Sequence, residues 1–198
     1  MVVFSPFTGS LIKKEFTRRV PAPAFDSMSR SQRSEYLATH PESYTLVTRS
    51  PSDGGIEDDA PMTRLIELGG EALQRILDAG AFQKMDAPGF FLYRLKLGEQ
   101  VQTGIVGLVD SADYIEGRVK RHEQVRRSRA EHLSQHFEAL GVQSSPIAVS
   151  YRMDATIRNR LDEILDRTEP LLSFVSGDGL DQIIWRIDRE DDLSLIHI

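Results

Sequence analysis

The chain contains no cysteine. Disulfide frameworks and thiolate-bound zinc are therefore excluded. It also lacks any run of about eighteen apolar residues, so no membrane-spanning helix is expected. Met1 to Leu11 shows no basic region followed by an apolar run, and no signal peptide is read there. Positive charge is in deficit: Lys and Arg number 24 against 30 Asp and Glu, a net charge of −6. That balance argues against general nucleic-acid binding. No phosphate-cradling P-loop and no GxGxxG occurs, nor any internal repeat or low-complexity tract. Together these absences fit a cytoplasmic protein.

What remains is globular in character. The 198 residues are 40% hydrophobic and 27% charged, enough to bury a core in one or two domains. Val2-Val3-Phe4 reads as a short strand. The prolines of Val20 to Asp26 force extended backbone. Ser29 is placed to cap a helix running to about Thr39, ended by Pro41. Tyr44 to Thr48 reads as a strand, and Pro51 to Pro61 as a polar loop. The spacing of Leu65, Leu68, Ala72, Leu73, Ile76 and Leu77 predicts a helix over 62–79. Gly69-Gly70 weakens its middle, and Gly80 serves as its cap.

Phe90 to Leu97, Gly98-Glu99 and Val101 to Val109 read as a β-hairpin. A helix is expected from Arg127 to Leu140, closed by Gly141. Ile147 to Tyr151 reads as a strand, and Asp154 caps a helix to Arg167. Leu172 to Val175 and Ile183 to Ile187 flank Gly177-Asp178-Gly179 as a second hairpin. Helices interspersed with hairpins favour an α+β fold, a mixed sheet with packed helices, over a doubly wound parallel sheet. Residues 1–192 are read as part of one domain. Leu193 to Ile198 matches the translation of a sequencing-library adapter and is expected to be an artefact; an ordinary terminal strand is the alternative. His197 is left out of any site on that ground.

Chemistry concentrates between Asp113 and Glu123. Gly117 permits a tight turn or close approach to a ligand. Lys120, Arg121, Arg126, Arg127 and Arg129 flank the start of the helix near Arg127 and suit a phosphate or carboxylate. Glu123 is a candidate general base and His122 a candidate phosphate or proton partner. A solvated charged loop is the plain alternative. Gln102-Thr103-Gly104 lies in the hairpin's second arm, where the glycine marks a bulge, a close approach to a ligand, or relief of crowding. His132 and His136 share a helix face. They lack the glutamate of the zinc-protease motif, so an exposed pair is expected.

The run Tyr93-Arg94, Gln102-Thr103-Gly104, Asp113-Tyr114 and Gly117-Arg118-Val119-Lys120-Arg121-His122-Glu123 resembles the bacterial and archaeal family of domain of unknown function 1015. Pro23-Ala24-Phe25-Asp26 resembles that family's Pro-Pro-Tyr-Asp, with two departures. Ser145-Pro146-Ile147, Tyr151-Arg152 and Gly179 followed by Trp185-Arg186 also fit. The resemblance implies that the chain is the N-terminal portion of a longer protein. Its relatives carry a later Asp-Gly-His-His-Arg motif, similar to ParB/sulfiredoxin-like proteins and free-serine kinases. On that resemblance Glu123 would act as base, with His122, Lys120, Arg121, Gly117, Arg118, Gln102 and Thr103 around nucleotide phosphate. The implied partners are ATP or ADP with Mg²⁺ and a small hydroxylated metabolite. A non-catalytic nucleotide- or nucleic-acid-binding module is the alternative expectation.

Overall fold

The computed structural model describes residues 2–23, 28–48, 60–122, 127–144, 146–152 and 155–187. In chain order the elements are β1 (Phe4–Ser5), β2 (Ser10–Ile12), α1 (Arg30–Thr39), α2 (Met62–Asp78), β3 (Phe82–Lys84) and β4 (Phe90–Leu97). There follow β5 (Gln100–Val106), β6 (Leu108–Val109), α3 (Ser111–Ile115), α4 (Arg127–Leu140), α5 (Ala155–Arg167), β7 (Leu172–Val175) and β8 (Asp181–Ile187). Short 3-10 turns occupy Lys14–Phe16 and Tyr44–Leu46. Helices and antiparallel strands are interspersed, and the fold is α+β.

A four-stranded antiparallel sheet of order β5-β4-β8-β7 is the larger unit. Both hairpins read from the sequence are in it, except that the second arm of the first, expected to run to Val109, leaves this sheet after Val106, and Leu108–Val109 pairs with β1 instead. Because side chains alternate across a strand, the register puts Leu92 opposite both Ile105 and Trp185, all on one face. That face buries Phe90, Leu92, Trp185 and Ile187 against Ile164 of α5, with Leu161, Leu165 and Phe4 at its margin. Each such side chain contributes about 1.5–3 kcal/mol by leaving water. Phe4 stacks on Phe90 at 5.1 Å, which ties β1 and its partner β6 to the sheet. A Cβ on Gly107 would meet the Phe4 ring at 2.6 Å and Phe90 at 2.9 Å. The close approach in this arm therefore falls at Gly107. Gly104 sits in unbroken register opposite Tyr93, with nothing within 4 Å of a would-be Cβ.

The second core forms around α2. Ala72, Leu73 and Ile76 pack with Leu37, Leu46, Val47 and Ala81. Ser29 caps α1 in a reciprocal box: its hydroxyl accepts from Gln32 N and its own N–H donates to the Gln32 side chain at 2.8 Å. Helix α4 crosses α2 at the two glycines. Leu140 lies 3.6 Å from a Cβ built on Gly70, whereas one on Gly69 would lie 2.5 Å from the Val47 carbonyl and 3.0 Å from His136 Nε2. The pair that weakens the helix by propensity is thus where its neighbours come closest.

Three expectations are corrected. Tyr44 to Thr48 is not a strand: Tyr44–Leu46 is a 3-10 turn, with the Ser43 hydroxyl accepting from Thr45 N. Burial of Leu46 and Val47 against α2 overrides the β-branched and aromatic propensity. Ile147 to Tyr151 joins no ladder among the described residues, and Ile147 is 77% exposed. An apolar extended segment becomes a strand only when an edge lies beside it. The third concerns His136, which is buried at 2% exposure rather than on an open face. Its Nε2–H donates to the Val47 carbonyl at 2.5 Å, and its ring stacks on His132 at 5.9 Å. The strand expected at 2–4 begins two residues later, at Phe4–Ser5. Asp154, the polar loop over 51–59 and the tail 193–198 lie outside the described residues. Among the described residues no helix is long and apolar enough to cross a membrane.

Candidate functional site

Helix α3 begins where the Asp110 carboxylate accepts from Ala112 N at 2.8 Å. It lasts little more than a turn. Gly117 then takes φ +73°, a left-handed conformation that glycine adopts without a Cβ penalty, and its N–H donates to the Tyr114 carbonyl at 3.2 Å. The reversal brings Val119 N to the Asp113 carbonyl at 2.9 Å. It also turns Arg118 back over α3. Arg118 Nε donates to Asp113 Oδ1 and Nη1 to Glu116 Oε2. Asp113 Oδ2 accepts from Val3 N at 2.7 Å.

Asp113 is fully buried. A buried carboxylate persists only when paired and hydrogen-bonded, and here the backbone of Val3, just before β1, supplies one bond and Arg118 the other. The Val3 N–H, then Arg118, hold its pKa below the usual carboxylate value. The bond to Asp113 raises that of Arg118. Arg118 thereby braces the turn through its bonds to Asp113 and Glu116.

The turn delivers Lys120, Arg121 and His122 to the surface, and all three are exposed. The Arg121 guanidinium stands over the Tyr114 ring, 5.1 Å from its centroid. Such a cation–π contact orients the side chain at little cost. Among the described residues none of the three pairs with a carboxylate. Glu123 lies outside the described residues, as does the segment 123–126 leading into α4.

Gln102 and Thr103 are on β5, with Gln102 exposed and Thr103 half-buried. The Thr103 hydroxyl accepts from Arg94 Nε at 2.9 Å, and Arg94 lies over Trp185 at 5.2 Å. Tyr93 donates to Gln182 at 2.6 Å. No hydrogen bond joins Gln102 or Thr103 to residues 117–122. The Tyr93-Arg94 and Gln102-Thr103 pairs are thus brought together with each other, across β4 and β5. Lys120, Arg121, His122 and Gly117 form a separate group on the α3 turn. Among the described residues no cluster of three or more His, Asp or Glu is placed to hold a metal.

Reading by residue type missed Asp113 as the anchor and Tyr114 as the platform. Asp113 to Arg118 is an i+5 spacing, one residue longer than a regular helical pair at i+4. Only the left-handed residue at Gly117 brings the two together, and a bare string does not reveal it.

A short capped helix, a locked reversal and three exposed cationic or titratable side chains mark this turn of an α+β protein. The chain belongs to the family described as Protein of unknown function (DUF1015), which matches residues 4–197. No curated protein and no solved structure matches the chain.

Proposed function

We propose that this chain carries part of a nucleotide-dependent phosphotransfer site acting on a small hydroxylated metabolite, of the serine-kinase-like kind. The observation that carries the reading is the consecutive, exposed set Lys120, Arg121 and His122, without a carboxylate partner among the described residues, beyond a turn held by Asp113 and Arg118. Unpaired cations on a rigid support suit phosphate, because ordering them costs little when the ligand arrives.

In this reading Glu123 takes the proton of the substrate hydroxyl. The freed oxygen forms a bond to the terminal phosphorus of ATP or ADP. The bond from that phosphorus to the bridging oxygen breaks, and the shortened nucleotide leaves with the electron pair. Lys120 and Arg121 stabilise charge on the transferred group, and His122 orients it. Mg²⁺ would arrive with the nucleotide and neutralise its phosphates. The cytoplasm, where nucleotide is abundant, is the location we assign, and kinship with ParB-like proteins belongs to this same proposal.

A second reading keeps the binding and drops the turnover. Arg121 over Tyr114 pairs a cation with an aromatic face, which also suits a stacked base. A regulatory nucleotide- or nucleic-acid-binding module would use it. The net charge of −6 weighs against nucleic acid. The test is a nucleotide-consumption assay with a panel of small alcohols, serine among them, using the wild type and Glu123→Gln. Turnover abolished in the variant supports the first reading. Turnover unchanged in the variant removes Glu123 from the mechanism. DNA binding that falls steeply with salt, without turnover, supports the module.

A further inference from the structure

A cavity of about 740 Å³ opens between β2–β3, the Lys14–Phe16 turn and the start of β7. None of the residues from Gln102 to His122 lines it. Its size falls within the range of small-molecule sites. Its cations are Lys13, Lys14, Lys84 and Arg186, and its carboxylates Glu15 and Asp86. Arg186 is already committed: it donates to Asp86 at 2.9 Å and to the Ala87 carbonyl at 3.0 Å. The two neutralise each other. Lys13, Lys14 and Lys84 form no ion pair among the described residues, and Glu15 alone opposes them. Three ammonium groups less one carboxylate leave two positive charges on a protein whose total is −6.

The lining also carries apolar side chains, Met85 and Leu172 buried and Leu171 exposed. Flexible ammonium groups beside apolar side chains suit a compact dianion with a hydrocarbon body. A phosphate monoester carries about −1.5 to −2 at neutral pH and offers three acceptor oxygens. Lysines serve it as point charges. We propose that this cleft is a binding site for a small phosphate monoester with an apolar substituent, separate from the α3 turn. Lys14 and Lys84, both exposed, make the charged contacts. Lys13 is the more constrained, its Nζ 3.5 Å from a would-be Cβ at Gly80.

Calorimetric titration of the full chain with phenyl phosphate, and separately with inorganic phosphate, tests this. Phenyl phosphate is expected to bind more tightly than inorganic phosphate. Lys14→Gln/Lys84→Gln should weaken it by about tenfold or more, the effect of losing a charge-assisted hydrogen bond. Lys14→Arg/Lys84→Arg should keep most of the affinity, and Lys120→Gln/Arg121→Gln all of it. Circular dichroism of each variant reports folding. Absence of binding to the wild type, equal affinity for the two probes, or an undiminished affinity in the folded glutamine variant overturns the proposal. Loss of binding in the Lys120/Arg121 variant alone also overturns it, and places the phosphate on the α3 turn instead.

Discussion

Arg118 reaches back over the Gly117 reversal to the buried carboxylate of Asp113, whose other oxygen is held by the backbone of Val3. One ion pair therefore joins the N-terminal strand, the short helix α3 and the turn that presents Lys120 and Arg121. Removing one partner of a buried pair strands the other charge, which costs more than removing both. Arg118→Ala should lower Tm by several degrees, and Asp113→Asn should lower it as well. The double variant should lose less than the sum of the two. Thermal unfolding of the four proteins of this cycle measures the coupling.

Acid should release the same joint. The carboxyl of Asp113 has a lowered pKa in the folded chain, so the unfolded chain binds its proton more readily. The stability it contributes is present above the ordinary aspartate pKa of about 3.9 and is lost as pH falls through the lower folded value. Urea unfolding from about pH 7 down to about pH 3 should show the gap between wild type and Asp113→Asn closing at the acid end. A gap that stays constant would separate the lowered pKa from the stability of the turn.

Adjacent glycines in α2 should respond with opposite signs. Alanine is favoured over glycine inside a helix by about 1 kcal/mol. At Gly70 the added methyl makes an ordinary 3.6 Å contact with Leu140, so Gly70→Ala should stabilise by up to about 1 kcal/mol. At Gly69 it meets the Val47 carbonyl at 2.5 Å. The backbone must move and the His136 hydrogen bond with it, so Gly69→Ala should destabilise by about 1–3 kcal/mol. Chemical denaturation of both variants decides the signs.

Gly117→Ala isolates the turn from its side chains. Nothing lies within 4 Å of the added Cβ, yet φ is +73°. The left-handed conformation should cost about 1–2 kcal/mol, and Gly117→Asn should cost less. Equal stability of all three proteins would mean that the reversal is not held in this form.

Much of the scaffold could be read from local pattern. The capping residue Ser29, the stripe of Leu65, Ala72, Leu73 and Ile76, and both hairpins each carry their instruction within a few residues of themselves. Tyr44 to Thr48 and Ile147 to Tyr151 did not follow propensity, because a strand also needs a distant edge. His136 looked exposed for a related reason: its partner, the Val47 carbonyl, is remote in sequence. At the candidate site, residue type marked the cationic run correctly as surface. It could not distinguish Arg118, which is structural, from Lys120 and Arg121, which face solvent. That division depends on the backbone angle of Gly117. The cleft beside Lys14 and Lys84 was invisible in the string, since its walls come from opposite ends of the chain.

Neighbouring cations divide the labour between holding the turn and facing solvent, and one comparison tests that division directly. Binding of Mg²⁺–ATP and Tm are measured side by side for wild type, Arg118→Lys and Lys120→Gln/Arg121→Gln. Lys120→Gln/Arg121→Gln should weaken nucleotide binding by about tenfold or more while Tm stays near that of wild type, and Arg118→Lys should lower Tm. Undiminished nucleotide affinity in Lys120→Gln/Arg121→Gln, with the fold intact, would contradict it.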